Sequence, residues 1–524
     1  MRRTILAVVL ICFLSIGTAL AWEGEGTVLD LYSLPEHWTC VGDYLAPPGD
    51  LEIFSNQLGA PVEILRNYLL STPQGNLQIN LVVTETEEQA EAIYRLFLQM
   101  HPPQKVDLRG RKVMEVLTDD LQLVELARST LRFDPEPVTA VDSVELREYL
   151  IKYSWIINDL QTMSTQLQME VENYRIFLVG ESHGMSINQE LESALLEFLV
   201  TDGGVQNYLL ELPPSVVGFL RDYLETGDEE LLDFLFSAAE GTYFSTQESY
   251  RHWRRVHDLY RSLPEEKKFA LLGVDVEHYP ILAFQYLQYL LDKVDDNHLS
   301  ETMLGEIARV LRGERSIYSH EMHLFLTGLL DELEGDVVKG SLGILVDDFE
   351  LVLSSLLEAV SLPTPNGGVL WNAARDKAMY ASFLKQAGAD GTGKYFGQWG
   401  LNHVFQNEQM GVEWFASFLD KTVGYQDAVF SMVLVYQDSH FMKSFSHDVL
   451  PFGSYQTKAN LIGQLAAGKL LLVKLDGADS PFDQEILWKI KEVQPSKGVT
   501  TDYYQYLLFV PGAGASSPWD GSGT

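Results

Sequence analysis

Gly180-Glu181-Ser182-His183-Gly184 sets a carboxylate and an imidazole two positions apart, between glycines. Further along the chain, Glu211, Asp275, Glu277 and His403 each follow a short apolar run. Carboxylates and histidines together can do two kinds of work. They can hold a divalent metal, since both bind zinc or manganese, and the metal would acidify a bound water for attack. Alternatively, His183 acts as a general base on water, oriented by a glutamate, while His403 steadies the developing oxyanion or protonates the leaving group. The metal reading would use His183, Glu181, Glu211 and His403 as ligands. The pentapeptide also fits Gly-x-Ser-x-Gly, the nucleophile elbow, with Ser182 as nucleophile and His403 or His440 as base. That reading ranks lower. The preceding forty residues look mainly helical, and it leaves Glu211 without a role.

These residues have to be positioned by something, and the surrounding sequence supplies a rhythm. Apolar runs at Arg175–Val179, Asn207–Leu212, Phe269–Val274, Lys394–Gly397 and Val429–Tyr436 read as strands, with Leu470–Leu475 and Tyr503–Val510 as two more. Amphipathic stretches lie between them, such as Ser186–Val200, with Ser186 and Gln189 as its capping box. A helical stretch near Glu145–Met169 precedes the first. Strands alternating with helices predict an α/β fold with a largely parallel sheet flanked by helices. The helical section 299–361 reads as an insertion. In such sheets ligands bind outside the carboxyl ends of the strands, which is where the titratable residues recur.

Upstream, residues 22–135 read as a small N-terminal α/β domain. It has a strand at Leu77–Val83, a helix at Glu85–Met100 and a strand at Lys112–Leu117. No catalytic constellation falls in it. Asp134–Pro137 reads as the linker to the main domain, residues 140–511. The Gly- and Ser-rich residues 512–524 read as a flexible tail.

Several motifs between about residues 170 and 510, taken in order, resemble the erythromycin-esterase-like family. More broadly they are similar to the clan of ChaN haem-binding proteins and Tiki metalloproteases. Carrying the resemblance are Gly180–Gly184, Glu211, and the helix Tyr250–His257 with Trp253, Arg254 and Arg255. Gly273-Val274-Asp275, Arg375-Asp376-Lys377-Ala378-Met379 and Gly397–His403 complete it. The resemblance implies a hydrolytic α/β domain with His183 as base, supported by Glu181 and Glu211. Arg375 would bind a carbonyl or anionic oxygen of the substrate, and Asp275 and Arg254 are further substrate-binding candidates. The Gly-Glu-x-His spacing is shorter than in the esterases and resembles the ChaN and Tiki branches. It points to a metal site, as in a metal-dependent peptidase or hydrolase, or to a substrate other than a macrolide; a non-catalytic protein binding haem or another small ligand on the same scaffold is the further alternative.

Composition bounds the partners. The chain has 524 residues and 46% hydrophobic content, enough for a large core. It carries 37 Lys and Arg against 74 Asp and Glu, a formal net charge of -37. Such a surface repels nucleic acid and anionic lipid. The partner expected is a small-molecule or peptide substrate. Arg2 and Arg3, the apolar run Ile5–Ile16 and Ala19-Leu20-Ala21 read as a signal peptide over residues 1–21, so export is expected, with no membrane span after its removal. Cleavage would leave Cys40 alone, so neither an internal disulfide nor a cysteine metal cage is available.

Overall fold

The computed structural model describes residues 38–521 apart from 47, 119, 131–143, 295–300, 316–319, 364–367, 388–391, 410, 454–458 and 485–497. The expected signal peptide and the linker at 134–137 lie outside the described residues. The chain divides into two compact units. One comprises Met1–Arg147, Phe452–Asn460 and Ile486–Gly498, and the other Glu148–Pro451, Leu461–Glu485 and Val499–Thr524.

The first unit contains strands β1 (Thr39–Leu45), β2 (Ile64–Thr72), β3 (Gly75–Val83), β4 (Val106–Arg109) and β5 (Lys112–Leu117). They form one antiparallel sheet in the order β1-β2-β3-β5-β4. Alternate residues of a strand face opposite sides, and both sides are buried. Leu77, Ile79, Leu81 and Val83 pack with Leu123 and Val124 of the helix Leu121–Thr130, whereas Val82 packs with Ala90, Ile93 and Phe97 of Glu87–Met100. The expected strand at 77–83 and helix at 85–100 are present. Thr86 caps that helix by a reciprocal capping box with Gln89.

The second unit is an α/β fold around a larger sheet. Its strands are β6 (Ser154–Ile157), β7 (Ile176–Glu181), β8 (Asn207–Leu210), β9 (Ala270–Gly273), β10 (Tyr395–Gly400), β11 (Val429–Gln437), β14 (Leu470–Lys474) and β15 (Tyr506–Pro511). The order is β6-β14-β15-β11-β7-β10-β8-β9. The six strands from β15 to β9 run parallel, and β14 is antiparallel to both β15 and β6. All six residues of β7 are buried, as expected for a strand covered on both faces. A hairpin of β12 (Ser439–Met442) and β13 (Val449–Phe452) forms a separate small sheet.

Chain order and sheet order differ at the decisive place. After β7 the chain crosses through the helix Asn188–Thr201 to β8, leaving a gap one strand wide. It goes on to β9 and then through the helices Pro280–Leu291, Glu301–Leu311, His320–Leu333, Asp336–Leu342, Val346–Ser361 and Val369–Ala387. Only then does β10 fill the gap between β7 and β8. The carboxyl ends of β7, β10 and β8 are therefore neighbours, a topological switch point where such sheets bind ligands.

Three expectations are corrected. The stretch 145–169 is not continuous helix: Ser154–Ile157 forms β6, paired with β14 at Leu470↔Ile157. Ser186 does not cap the next helix, because Ile187 holds that position and the Ser186 hydroxyl donates to the Gly514 carbonyl at 3.1 Å. Residues 512–521 are not loose. Ala515 bridges to Met185 and Pro518 to Thr246, and Trp519 stacks on Tyr250.

Candidate active site

Parallel register sets Gly400, the last residue of β10, opposite Glu181, the last of β7. Two residues on, His183 folds back so that Nδ1 lies 2.9 Å from Glu181 Oε1. Glu181 is buried, and its other oxygen accepts from Gln398 Nε2 at 2.6 Å. A carboxylate bonded to one ring nitrogen fixes the tautomer and leaves the other nitrogen as the reactive one. His183 is the more accessible partner, with its side chain 40% exposed. Partial burial works against its protonation, but the bond to Glu181 and the charges of Glu211 and Glu181 outweigh it and raise its pKa.

His183 Nε2 lies close over Gly400, where any side chain would crowd it. A Cβ at Gly400 would lie 3.0 Å from His183 Nε2, 3.3 Å from Glu211 Oε2 and 3.4 Å from His403 Cδ2. The three candidate groups thus converge on one point.

Glu211 follows β8 and is held on three sides. Gly400 N–H donates to Oε2 at 2.6 Å, Arg375 Nη2 donates to Oε1 at 2.8 Å, and His403 Nε2 is 3.2 Å from the same oxygen. Burial alone would raise its pKa, but the charges of His403, Arg375 and His183 hold it well below the carboxylate range. His403, in the short turn after β10, also has Nδ1 2.8 Å from Asp376 Oδ1. Burial opposes its charge, yet Asp376 and Glu211 on either side push its pKa up to about 10. It is an imidazolium at neutral pH, with both nitrogens engaged.

Arg375 stands on the helix Val369–Ala387, beside Asp376. It grips Asp275 with Nε at 2.8 Å and Nη2 at 2.7 Å, a bidentate pair. Its Nη1 stands 3.1 Å from His403 Nε2, so Glu211 accepts from two cations lying side by side. Nε and Nη2 are committed to carboxylates, and Nη1 faces His403. Asp275 also takes His278 Nε2 at 2.8 Å, and it faces Arg375 rather than open space. The rings of Tyr243 and Trp371 border the cluster, 5.3 Å from His183 and 5.9 Å from His278.

Glu181, His183, Glu211, His403, Arg375 and Asp275 are therefore brought together. Arg254 is placed elsewhere, with Nε 3.4 Å from Glu229 on the neighbouring helix Glu229–Ala238. Glu277 turns away as well: it accepts from Ser215 N at 2.9 Å and Ser215 Oγ at 2.7 Å, and burial raises its pKa to about 8. Sequence reasoning missed Asp376, Gln398 and His278 as members of the cluster. Asp376 and Gln398 lay inside motifs already singled out, next to residues given roles.

The Arg375 guanidinium lies against both Glu211 and His403 and brings positive charge to them. Among the described residues, no group of three or more His, Cys, Asp or Glu is arranged to hold a metal ion. The Ser182 hydroxyl is buried without a hydrogen-bond partner, whereas an elbow serine needs a base within reach. Among the described residues, no helix is long and apolar enough to cross a membrane.

No protein-family model matches the chain, and no curated protein matches it. Solved structures do. One is a Bacillus cereus protein, with TM-score 0.51 and 14% identity over 71% of this chain and 98% of its own. Another is a succinoglycan biosynthesis protein, with TM-score 0.52 and 13% identity over 71% and 97%. The erythromycin esterase EreC, a mutant in its open conformation, gives TM-score 0.48 and 15% identity over 69% and 96%. At these identities the first two likenesses show a shared α/β fold and nothing finer.

Proposed function

We propose that this protein is a hydrolase that cleaves an ester or amide bond of a small molecule or peptide with water activated by His183. One observation carries the reading. His183 has Nδ1 locked by Glu181, while Nε2 lies over Gly400 beside Glu211 and His403.

A water there gives its proton to His183 Nε2 as its oxygen bonds to the substrate carbonyl carbon. The carbonyl π pair moves onto oxygen, and the resulting oxyanion is met by the positive His403–Arg375 side of the site. Collapse expels the alkoxide or amine, which takes the proton back from His183. Glu181 steadies the imidazolium formed in between. Because the His183 pKa is raised, the base is active only above that value, and turnover rises with pH through it. The motif resemblance to erythromycin-esterase-like proteins supports hydrolysis, and the basic, apolar, small-residue pattern of residues 1–21 supports export.

The test is hydrolysis across a panel of activated esters and amides by the wild type, His183→Ala and Ser182→Ala. Turnover abolished in His183→Ala, with fold retained by circular dichroism and Ser182→Ala unimpaired, is the expected result. Equal loss in both variants would return the elbow mechanism. No wild-type turnover, with a ligand or haem co-purifying, would make the protein a binding module.

A further inference from the structure

His183 is held from one side by Glu181, but its own turn must also be fixed. Gly184 adopts φ +85°, and a Cβ there would lie 2.4 Å from the Met442 carbonyl. The Gly184 carbonyl accepts two backbone N–H groups, from Met442 of β12 at 2.9 Å and from Ser516 at 2.8 Å. Ser516 belongs to the segment 512–521, whose composition promised only a loose tail.

That segment is tied along its whole length. Gly512 N–H donates to Gln437 O at 2.8 Å, and Ala513 O accepts from His440 N at 2.8 Å. Gly514 O accepts from Ser186 N at 2.9 Å, and Ser517 O from Gln247 N at 2.9 Å. Trp519 N–H donates to Ser245 O at 3.1 Å, and its ring stacks on Tyr250 with centroids 5.8 Å apart. The strap therefore runs from the end of β11, across the turn 184–186, to the start of the helix Gln247–Ser262. Tyr243, which borders His183, lies just before that helix.

We propose that residues 512–521 form a strap whose Ser516 N–H positions His183 against Glu181 for the reaction. Ser516 is a positioning residue and acts through its backbone: its side chain is buried, but the bond to Gly184 comes from the main chain. Without that bond the carbonyl after His183 keeps one of two tethers, and the imidazole loses its fixed approach to Glu181. Misplacement of a base by about 1 Å costs roughly 100-fold in rate.

The inference rests on His183 as the base only for its kinetic arm. The first readout needs no substrate: titration of the His183 ring by NMR in histidine-labelled protein, assigned with His183→Asn. Ser516→Pro removes the N–H and Ser516→Ala keeps it. The expected result is a raised His183 titration in wild type and Ser516→Ala, shifted down towards about 6.5 in Ser516→Pro. In parallel, kcat falls roughly 10- to 100-fold in Ser516→Pro with KM little changed. If Ser516→Pro does not fold by circular dichroism, Trp519→Ala, which loosens the strap at its far anchor, takes its place. An unmoved His183 titration in the folded variant overturns the proposal. A moved titration in a protein without hydrolytic activity upholds the strap and sinks the hydrolase reading instead.

Discussion

His403 Nδ1 lies 2.8 Å from Oδ1 of Asp376, a carboxylate wholly buried whose second oxygen has no hydrogen-bond partner. Oδ1 also accepts Phe415 N–H at 2.8 Å, so the side chain cannot turn away. Asp376 thereby fixes both the orientation and the charge of His403. Asp376→Asn is expected to lower the His403 pKa from about 10, because its first supporting charge is gone. Breaking a buried pair by removing one partner costs about 3–5 kcal/mol. Urea unfolding measures that loss and NMR titration of His403 the shift; a variant with an unchanged titration would contradict the assignment.

Glu181→Gln separates orientation from charge at the other histidine. The amide can still accept from His183 Nδ1, but it no longer supports an imidazolium. Since the Glu181 hydrogen bond and charge are what raise the His183 pKa, the variant's rate should begin to climb at lower pH. Its plateau should fall, by roughly 100- to 10,000-fold for loss of the group that orients and stabilises the base. The pH–kcat/KM profile reads both; an ascending limb that stays put would remove Glu181 from the mechanism.

Gly400→Ala tests this close approach. Gly400 has φ -53° and ψ 134°, which alanine adopts freely, so the backbone is not the obstacle. The added methyl would sit 3.0 Å from His183 Nε2 and crowd the nitrogen proposed to take the water's proton. Activity should drop at least about 100-fold while the melting temperature stays near wild type. Retained activity would move the reaction away from this point.

The strand-end residues were legible because each ends an apolar run and carries a group that an ordinary loop does not need. His183, Glu211 and the Gly400–His403 turn came from that reasoning, and the sheet brings them together. Asp376 and Gln398 were not legible as members, since a helical acid and a strand amide look like solubility or packing until their partners are known. β6 escaped because four residues between two helical patterns acquire strand geometry only by pairing with β14, more than 300 residues away. The strap escaped for the opposite reason. Its Gly and Ser composition reads as freedom, while its order comes from main-chain bonds that no side-chain pattern records. Arg254 was carried over by a motif that folds correctly but pairs with Glu229 instead.

The charge state of His403 also makes a prediction about stability against pH. Its folded pKa of about 10 lies above the unfolded value of 6.5. Such a group contributes stability that is fully present below 6.5 and is lost as pH rises through about 10. Glu277, raised to about 8 by burial, works in the same direction: its contribution is present below 4.5 and is lost as pH rises through 8. The wild type should therefore lose melting temperature steadily between neutral pH and pH 10. His403→Gln removes one of the two contributions, so it should be less stable than wild type near pH 6. The gap should narrow towards pH 10, where the native imidazolium is itself discharging. Thermal melts of both proteins at half-unit pH intervals measure the gap. A gap that is constant across the range would mean that His403 is neutral in the fold, and that the positive side of the site rests on Arg375 alone.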